Sequence, residues 1–195
     1  MKRIAVFASG SGSNFQAIVD AVKSGELECS INLLICDKKG AYCIDRAQKE
    51  NIPTIVFTAS DYESKADYEQ EILHHLEEYK IDLIVLAGYM RLIGKTLLQA
   101  YSGKIVNVHP SLLPAFPGKD AIGQALEAGV SHTGVTIHYV DEGMDTGPII
   151  AQEAIQLDKE ETRESLQSKI HEIEHKLYPM VIQQLLNEDS HKQGV

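Results

Sequence analysis

The sequence predicts an α/β fold with an open, twisted and mostly parallel sheet and with helices on both of its faces. Short uninterrupted apolar runs, as at residues 4–8 and 83–87, are typical of strands that helices cover on both sides. Segments with apolar residues at helical spacing lie between these runs, so strand and helix alternate along the chain. The length of 195 residues suits one well-buried core, and we expect a single domain over residues 1–195.

The N-terminal part of the chain, about residues 1–100, repeats a strand–helix unit. Strands are predicted over residues 4–8, 31–36, 54–57 and 83–87. Helices are predicted over residues 15–24, 41–50 and 65–79. Residues 88–93 follow the fourth strand and are expected to open a further helix that ends near Tyr101. Their glycine and large apolar side chains predict either a pocket wall or ordinary core.

The C-terminal part, about residues 101–195, has shorter elements followed by one long helix. Strands are predicted over residues 105–108, 133–140 and 149–152, and a helix over residues 121–128. The long helix has an apolar stripe made of Leu166, Ile170, Ile173, Leu177, Val181 and Leu185. From about Asp189 the chain is expected to fray.

A loop of small residues joins the first strand to the first helix. Residues 9–14 have the sequence Ser-Gly-Ser-Gly-Ser-Asn. A glycine turn before a helix favours phosphate binding, because free N–H groups and the positive end of the helix dipole face the turn. A plain tight turn is the alternative. Gly10 and Gly12 with Asp37 also suggest a dinucleotide site, but Phe15 stands where that motif needs its third glycine, so we favour a monophosphate.

A carboxamide and an imidazole are expected side by side at the end of the fifth predicted strand. Asn107 and His109 alternate with Val106 and Val108, and side chains two residues apart on a strand point to the same face. Pro110 restricts His109 to an extended backbone and cannot continue the sheet. A strand-end histidine bonded to a nearby carbonyl is the alternative interpretation.

Composition limits the classes of partner. The net charge of -10 disfavours a nucleic-acid partner, which needs a basic face. The three cysteines are odd in number and lack C-x-x-C spacing, so neither a zinc site nor a disulfide framework is expected. No apolar run is long enough to span a membrane. We therefore expect a cytoplasmic protein without a nucleic-acid, membrane or metal partner.

Several polar or glycine-rich segments follow predicted strands and so meet at one edge of the sheet. They are the glycine loop, Asp37, residues 88–93 and residues 107–117. In an open parallel sheet, ligands bind at this carboxyl edge. Asp145 lies in a further loop, flanked by glycines at residues 143 and 147.

In combination, these motifs resemble the folate-dependent formyltransferases, and in particular their glycinamide ribonucleotide branch. The similar segments are residues 8–14, 86–92, 107–114 and 140–148, and the resemblance runs through essentially the whole chain. The segment Asn-Val-His-Pro-Ser-Leu-Leu-Pro at residues 107–114 is typical of folate-dependent formyl transfer. The resemblance implies a Rossmann-like formyltransferase domain whose N-terminal half binds phosphate and whose C-terminal half binds folate and carries the catalytic groups.

The same resemblance implies roles for individual residues. The catalytic residues would be Asn107, His109 and Asp145. The substrate phosphate would bind at Ser11, Gly12, Ser13 and Asn14, with Glu174 as a further substrate-binding acid. The folate, supplied as 10-formyltetrahydrofolate, would contact Met90, Arg91, Leu92 and Ile93, with Lys65 as a basic contact and Asn107 beside the formyl group. Glycinamide ribonucleotide and this folate would be the only partners of a monomer or homodimer.

The chemistry of formyl transfer agrees with these roles. The reaction passes through a tetrahedral carbon with a developing oxyanion, and Asn107 and a protonated His109 both have donors for it. Asp145 would stabilise the imidazolium and assist proton transfer. No metal is required.

Three alternatives are less favoured than this resemblance. A formyltransferase that acts on initiator tRNA is expected to have an additional C-terminal domain. A formyltetrahydrofolate hydrolase is expected to have an N-terminal regulatory domain. A nucleotide-binding module would leave Asn107, His109 and Asp145 without a reason to lie close together.

Overall fold

The fold is a seven-stranded sheet with helices on both faces, described over residues 1–192 by a computed structural model. The strands are β1 Arg3–Ala8, β2 Ser30–Cys36, β3 Thr54–Val56, β4 Leu83–Leu86, β5 Ile105–His109, β6 His132–Tyr139 and β7 Ile149–Gln156. The helices are α1 Ser13–Ser24, α2 Tyr42–Lys49, α3 Lys65–Glu78, α4 Lys95–Ala100, α5 Ala121–Ala128 and α6 Arg163–Lys192. A single 3₁₀ turn covers Ala59–Asp61.

The strand order is β3-β2-β1-β4-β5-β6-β7. The first five strands in this order are parallel to one another, whereas β6 is antiparallel to both β5 and β7. The prediction of an open, mostly parallel α/β sheet is confirmed. Because the parallel strands end at one edge, the loops after β1, β4 and β5 lie beside one another.

Two apolar cores cover the two faces of the sheet. Alternate residues of β1 divide between them: Val6 and Ala8 pack with α1, α2 and α6, whereas Ala5 and Phe7 pack with α3 and α4. This division explains the uninterrupted apolar run of β1, since every side chain of the run is buried on one face or the other.

The segment after β4 differs from the prediction. The helix expected to open within residues 88–93 begins only at Lys95, after an irregular stretch. Gly88 has a left-handed backbone, with φ of 78°, and the Glu69 carboxylate accepts a hydrogen bond from the Gly94 N–H at 2.8 Å. These contacts fix residues 89–94 as an extended pocket wall in front of α4.

Two other boundaries also differ. β7 runs to Gln156, four residues beyond its predicted end, because its whole length pairs with β6. The C-terminal helix continues through the predicted fray at Asp189 to Lys192, and the rest of that prediction lies outside the described residues. No described helix combines the length and the apolar character that crossing a membrane requires.

Tyr178 of α6 ties the long helix to the carboxyl edge of the sheet. Its side chain is fully buried, and its hydroxyl donates to the Leu86 carbonyl at 2.7 Å and lies 3.2 Å from the Val106 carbonyl. Leu86 ends β4 and Val106 lies in β5, so one phenol bridges the two strands from which the site loops emerge.

We expect Tyr178→Phe to destabilise the fold by about 1–2 kcal/mol, because it leaves buried carbonyl groups with fewer donors while keeping the ring packed. The measurement is urea-induced unfolding of both proteins. Tyr42→Phe serves as the control, since Tyr42 lies on the exposed side of α2. Equal stability of Tyr178→Phe and wild type would contradict the assigned hydrogen bonds.

Candidate active site

A cavity of about 680 Å³ opens at the carboxyl edge of the sheet. Its volume lies within the range that suits a small-molecule ligand. Its walls include every residue predicted for the site except Lys65. The sequence-predicted residues in the walls are Ser11, Gly12, Ser13, Asn14, Met90, Arg91, Leu92, Ile93, Asn107, His109, Asp145 and Glu174.

The glycine loop presents an uncapped helix N-terminus to this cavity. Gly12 precedes α1 and has φ of 74°, and its N-cap position supplies no side-chain hydrogen bond. The first intrahelical bond runs from the Gln16 N–H to the Gly12 carbonyl at 2.8 Å. The N–H groups of the first turn are therefore available to an anion, and the helix dipole adds to the attraction.

Two residues of α2, Cys43 and Arg46, hold this loop on the side away from the cavity. A Cβ at Gly12 would lie 2.7 Å from the Cys43 Cβ, so both the close approach and the positive φ require glycine. The Arg46 Nε donates to the Ser11 carbonyl at 2.8 Å, which places a guanidinium against the loop. The Cys43 N–H donates to the Gly10 carbonyl at 3.0 Å.

Glu174 of α6 faces the start of α1 and is 5% exposed. The Asn14 amide donates to its carboxylate at 3.0 Å, and the Asn14 carbonyl oxygen is buried without a partner among the described residues. Burial raises the pKa of Glu174 to about 7, although the bond from Asn14 opposes this shift. The pair therefore offers an oriented carboxyl group that can donate or accept a hydrogen bond, as a contact to a sugar hydroxyl requires.

Asn107 is oriented by a histidine of the neighbouring strand. The antiparallel register of β5 and β6 places Asn107 opposite His138. The His138 Nδ1 lies 2.8 Å from the Tyr139 carbonyl and must donate to it, so the proton of the neutral ring is on Nδ1. Burial lowers the pKa of His138, and the ring is neutral at pH 7. The Asn107 amide therefore donates to the His138 Nε2 at 3.4 Å, and its second N–H can serve a ligand.

His109 lies between a carbonyl and a carboxylate. Its Nε2 donates to the Phe116 carbonyl at 2.8 Å, and its Nδ1 is 3.5 Å from the Asp145 Oδ2. Both side chains are nearly buried. A carboxylate this close stabilises positive charge on the ring by direct attraction. The hydrogen bond to a nearby carbonyl, which the alternative interpretation of His109 expects, is present. Asp145 lies on the other side of the ring, so the histidine has a carboxylate partner as well.

Asp145 also joins two loops. Its Oδ2 accepts a hydrogen bond from the Gly118 N–H at 2.7 Å, and its Oδ1 lies 3.7 Å from the His138 Nε2. Its backbone is left-handed, with φ of 56°, in the loop between β6 and β7. The carboxylate therefore contacts both histidines and the segment that follows β5.

The pocket wall after β4 is fixed through Asp37. Ser9 donates to one Asp37 oxygen at 2.5 Å, and the Arg91 Nε donates to the other at 2.9 Å. The Met90 N–H in turn donates to the Ser9 hydroxyl at 2.9 Å. Asp37 thus holds the wall, and its carboxylate is already occupied, which removes the basis for a dinucleotide ribose site there.

Lys65 lies away from the cavity. It begins α3, and the cavity walls do not include it among residues 1–192. Its Cε packs beside Gly94 and the Glu69 side chain. Among residues 1–192, no three His, Cys, Asp or Glu side chains lie close enough together to form a metal site. The prediction of a folate contact at Lys65 stays a prediction, and so does that of a metal-free reaction.

Sequence reasoning missed three contributors to the site. They are His138, the Phe116 carbonyl and the Gly118 N–H. The predicted strand over residues 133–140 contains His138, but only the register of β5 and β6 shows that it meets Asn107. Backbone groups of an irregular loop have no signature in the sequence.

Comparison with known proteins shows the family to which the chain belongs. The sequence profile of the formyl transferase family matches residues 2–182 of the chain. The chain belongs to the formyl transferase family and is a formyltransferase.

Individual relatives indicate which branch of the family the chain resembles. The chain is 59% identical to the phosphoribosylglycinamide formyltransferase of Bacillus subtilis (strain 168), with 95% of each protein covered. The crystal structure of glycinamide ribonucleotide transformylase 1 from Geobacillus kaustophilus is 64% identical, with a TM-score of 0.93 over 95% of this chain and 99% of that one. A human relative, the trifunctional purine biosynthetic protein adenosine-3, is 39% identical over 93% of this chain and 18% of its own length. The predicted resemblance to the glycinamide ribonucleotide branch is confirmed.

We expect the buried Glu174 to make stability fall as pH rises. Between pH 4.5 and about 7 the folded protein keeps a proton that the unfolded chain has released. The contribution of protonated Glu174 to the free energy of unfolding is complete below pH 4.5. Above pH 7 the free energy of unfolding is lower by at most about 3 kcal/mol. Glu174→Gln removes the charge, so its unfolding free energy should decline less between pH 4.5 and 8.

The measurement is urea unfolding of wild type and variant across this pH range. Glu172→Gln is the matched control, because Glu172 is an exposed carboxylate on the same helix. Parallel pH profiles of wild type and Glu174→Gln would contradict the assigned burial of charge.

Proposed function

We propose that this chain transfers the formyl group of 10-formyltetrahydrofolate to the amine of glycinamide ribonucleotide. The products are formylglycinamide ribonucleotide and tetrahydrofolate, in a step of de novo purine (IMP) biosynthesis. The observation that carries the proposal is a single cavity lined both by an uncapped helix N-terminus and by Asn107, His109 and Asp145. The Bacillus and Geobacillus relatives support the choice of substrate.

The ribonucleotide binds at the end of the cavity formed by α1 and α6. Its phosphate accepts hydrogen bonds from the N–H groups of Ser11, Gly12, Ser13 and Asn14. The ribose hydroxyls bind the Glu174 carboxyl group, which the Asn14 amide orients. This placement directs the glycyl amine along the cavity towards β5.

The folate binds at the other end, against the wall formed by residues 90–93. Met90 is 70% exposed and Leu92 is 48% exposed, so apolar side chains remain open for a flat heterocycle. The Arg91 side chain is fixed by Asp37 and orders this wall. Lys65 is an outer basic contact in this proposal and reaches the acidic tail of the folate from beside Gly94.

The reaction forms one bond and breaks one bond. The amine of the ribonucleotide attacks the formyl carbon, and the carbonyl oxygen becomes an oxyanion on a tetrahedral carbon. The bond between this carbon and N10 of the folate then breaks, and the electron pair returns to N10. A proton passes from the attacking nitrogen to N10, so the overall charge is unchanged.

The residues of β5 stabilise the oxyanion. The free N–H of Asn107 donates to it, and the positive charge of a protonated His109 stabilises it by electrostatic attraction. Donors that are fixed before the reaction are the largest catalytic contribution in such steps. Asp145 stabilises the imidazolium and passes the amine proton onward through water.

The proposal places the enzyme in the cytoplasm, as a monomer or homodimer that acts on two small molecules. The free thiols Cys29, Cys36 and Cys43 support a reducing compartment.

The experiment that tests the function mixes the purified protein with 10-formyltetrahydrofolate, with and without glycinamide ribonucleotide, and follows the folate optically. Folate consumption that requires the ribonucleotide and yields a matching amount of formylated product is expected. Consumption without the ribonucleotide would indicate a hydrolase, and no consumption in either mixture would contradict the proposal.

We expect Asn107→Ala to lower kcat by about 100- to 1000-fold with little change in KM, because it removes a donor to the oxyanion. His109→Ala and Asp145→Ala should each lower kcat by at least about 100-fold. Steady-state kinetics with both substrates provide the measurement, and thermal unfolding checks that each variant folds.

The control is His132→Ala, which removes an exposed histidine of β6 outside the cavity walls. Near-normal turnover of a folded Asn107, His109 or Asp145 variant would remove that residue from the mechanism. A rise in KM alone for Asn107→Ala would mean that Asn107 binds ligand and does not stabilise the transition state.

A further inference from the structure

One short segment supplies a backbone contact to two of the proposed catalytic side chains. The Phe116 carbonyl accepts from the His109 Nε2 at 2.8 Å, and the Gly118 N–H donates to the Asp145 Oδ2 at 2.7 Å. Whatever fixes residues 116–120 therefore also fixes the orientation of the His109 ring and of the Asp145 carboxylate.

The first half of the loop after β5 is anchored to the sheet. The Leu113 N–H donates to the Thr136 hydroxyl at 3.1 Å, and the Gln152 amide donates to the Leu113 carbonyl at 2.9 Å. The second half is held to the sheet through the His109 ring of β5, which donates to the Phe116 carbonyl. It also contains three left-handed residues, Phe116, Gly118 and Asp120, whose φ values are 52°, 78° and 54°. A non-glycine residue in this region adopts a costly conformation that needs outside contacts to persist.

An ion pair with α6 supplies this contact. The Arg163 guanidinium binds Asp120 with both of its terminal nitrogens, at 2.6 and 2.8 Å. Arg163 is the first residue of α6, whose start is fixed by the Ser165 N–H, which donates to the Thr162 hydroxyl at 3.1 Å. The hydrogen bonds from Arg163 lower the pKa of the Asp120 carboxyl, so it is charged at neutral pH. Two-point binding fixes direction as well as distance.

Neighbours in α5 complete the arrangement. The Asp120 side chain also accepts from the Gly123 N–H at 3.2 Å. The Gln124 amide lies 2.7 Å from the Lys119 carbonyl and 3.2 Å from the Pro117 carbonyl. These contacts connect α5, α6 and residues 116–120 into one unit.

We propose that the Asp120–Arg163 ion pair is a positioning device for catalysis, which holds residues 116–120 so that His109 and Asp145 keep their reactive geometry. This inference rests on the proposed function. It assigns roles to two residues that touch neither His109 nor Asp145 directly.

The exposure of the pair separates this role from a general effect on stability. The Asp120 and Arg163 side chains are 54% and 55% exposed, and exposed ion pairs contribute little to global stability. Loss of the pair should therefore leave the thermal unfolding temperature nearly unchanged. Small displacements of catalytic groups, in contrast, strongly reduce turnover.

The kinetic test compares full-length variants in the ribonucleotide-dependent assay. Arg163→Ala should lower kcat by about 10-fold, while KM for the ribonucleotide stays within about twofold of wild type. Arg163→Lys keeps the charge but not the two-point geometry, so its kcat should lie between those of wild type and Arg163→Ala. Lys176→Ala is the matched control, since it removes another exposed ion pair of α6 that is remote from the loop.

Gly123→Ala provides a second variant that keeps both charges. A Cβ at this position would overlap the Asp120 carboxylate and the Arg163 guanidinium and would force the flexible ends of the two side chains apart. We expect its kcat to fall as in Arg163→Ala. A rise in KM with normal kcat in Arg163→Ala would mean that Arg163 contacts the substrate, and normal kinetics in both variants would equally overturn the proposal.

A fluorescence measurement tests the loop independently of activity. The chain has no tryptophan, so Lys119→Trp introduces a single reporter at an exposed position of the segment. Its emission anisotropy should be lower when Arg163→Ala is added, and equal anisotropy would overturn the proposal. An inactive wild-type protein would contradict the proposed function, whereas the anisotropy still reports whether the ion pair holds the loop.

Discussion

The antiparallel pairing of β5 with β6 is the contact on which the site depends. The sheet changes direction at this pair, and its register sets Asn107 against His138 and His109 against Thr136. His138 fixes the Asn107 amide, and the Thr136 hydroxyl donates to the Ser111 carbonyl at 2.6 Å, which anchors the chain just after His109. A slip of one residue would turn these side chains to opposite faces. Backbone pairing therefore sets the geometry of the site.

The Asp145 carboxylate connects the loops of the site to this pair of strands. A nearly buried charge is stable only with close partners, and Asp145 has the Gly118 N–H at 2.7 Å and the His109 Nδ1 at 3.5 Å, with the neutral His138 ring as a further neighbour at 3.7 Å. Because these partners come from β5, β6 and the loop after β5, the carboxylate can lie in this position only when all three are in place. Its left-handed backbone brings the side chain inward from a loop that would otherwise remain at the surface.

Local patterns in the sequence explain why much of this arrangement was predictable. Alternation along one strand predicts that Asn107 and His109 share a face, and the small residues before α1 predict an anion site. Only the family resemblance implies the roles of Asp145 and Glu174, because their distance to the other groups depends on tertiary structure. His138 was not predicted, since its contact with Asn107 needs the register of two strands 31 residues apart. The late start of α4 depends on Glu69 of another helix, which no local pattern contains.

An anion site in a chain with a net charge of -10 needs local rather than global attraction. Here the local field comes from the first turn of α1 and from Arg46, which binds the Ser11 carbonyl and so adds charge without occupying the cavity. Glu174 lies next to this field, and burial keeps its carboxyl partly protonated near neutral pH, which limits its repulsion of a phosphate. In the proposed function, burial thus lets the Glu174 carboxyl group bind a sugar hydroxyl close to an anionic group. Burial likewise keeps the His138 ring neutral, so its Nε2 accepts a hydrogen bond from the Asn107 amide.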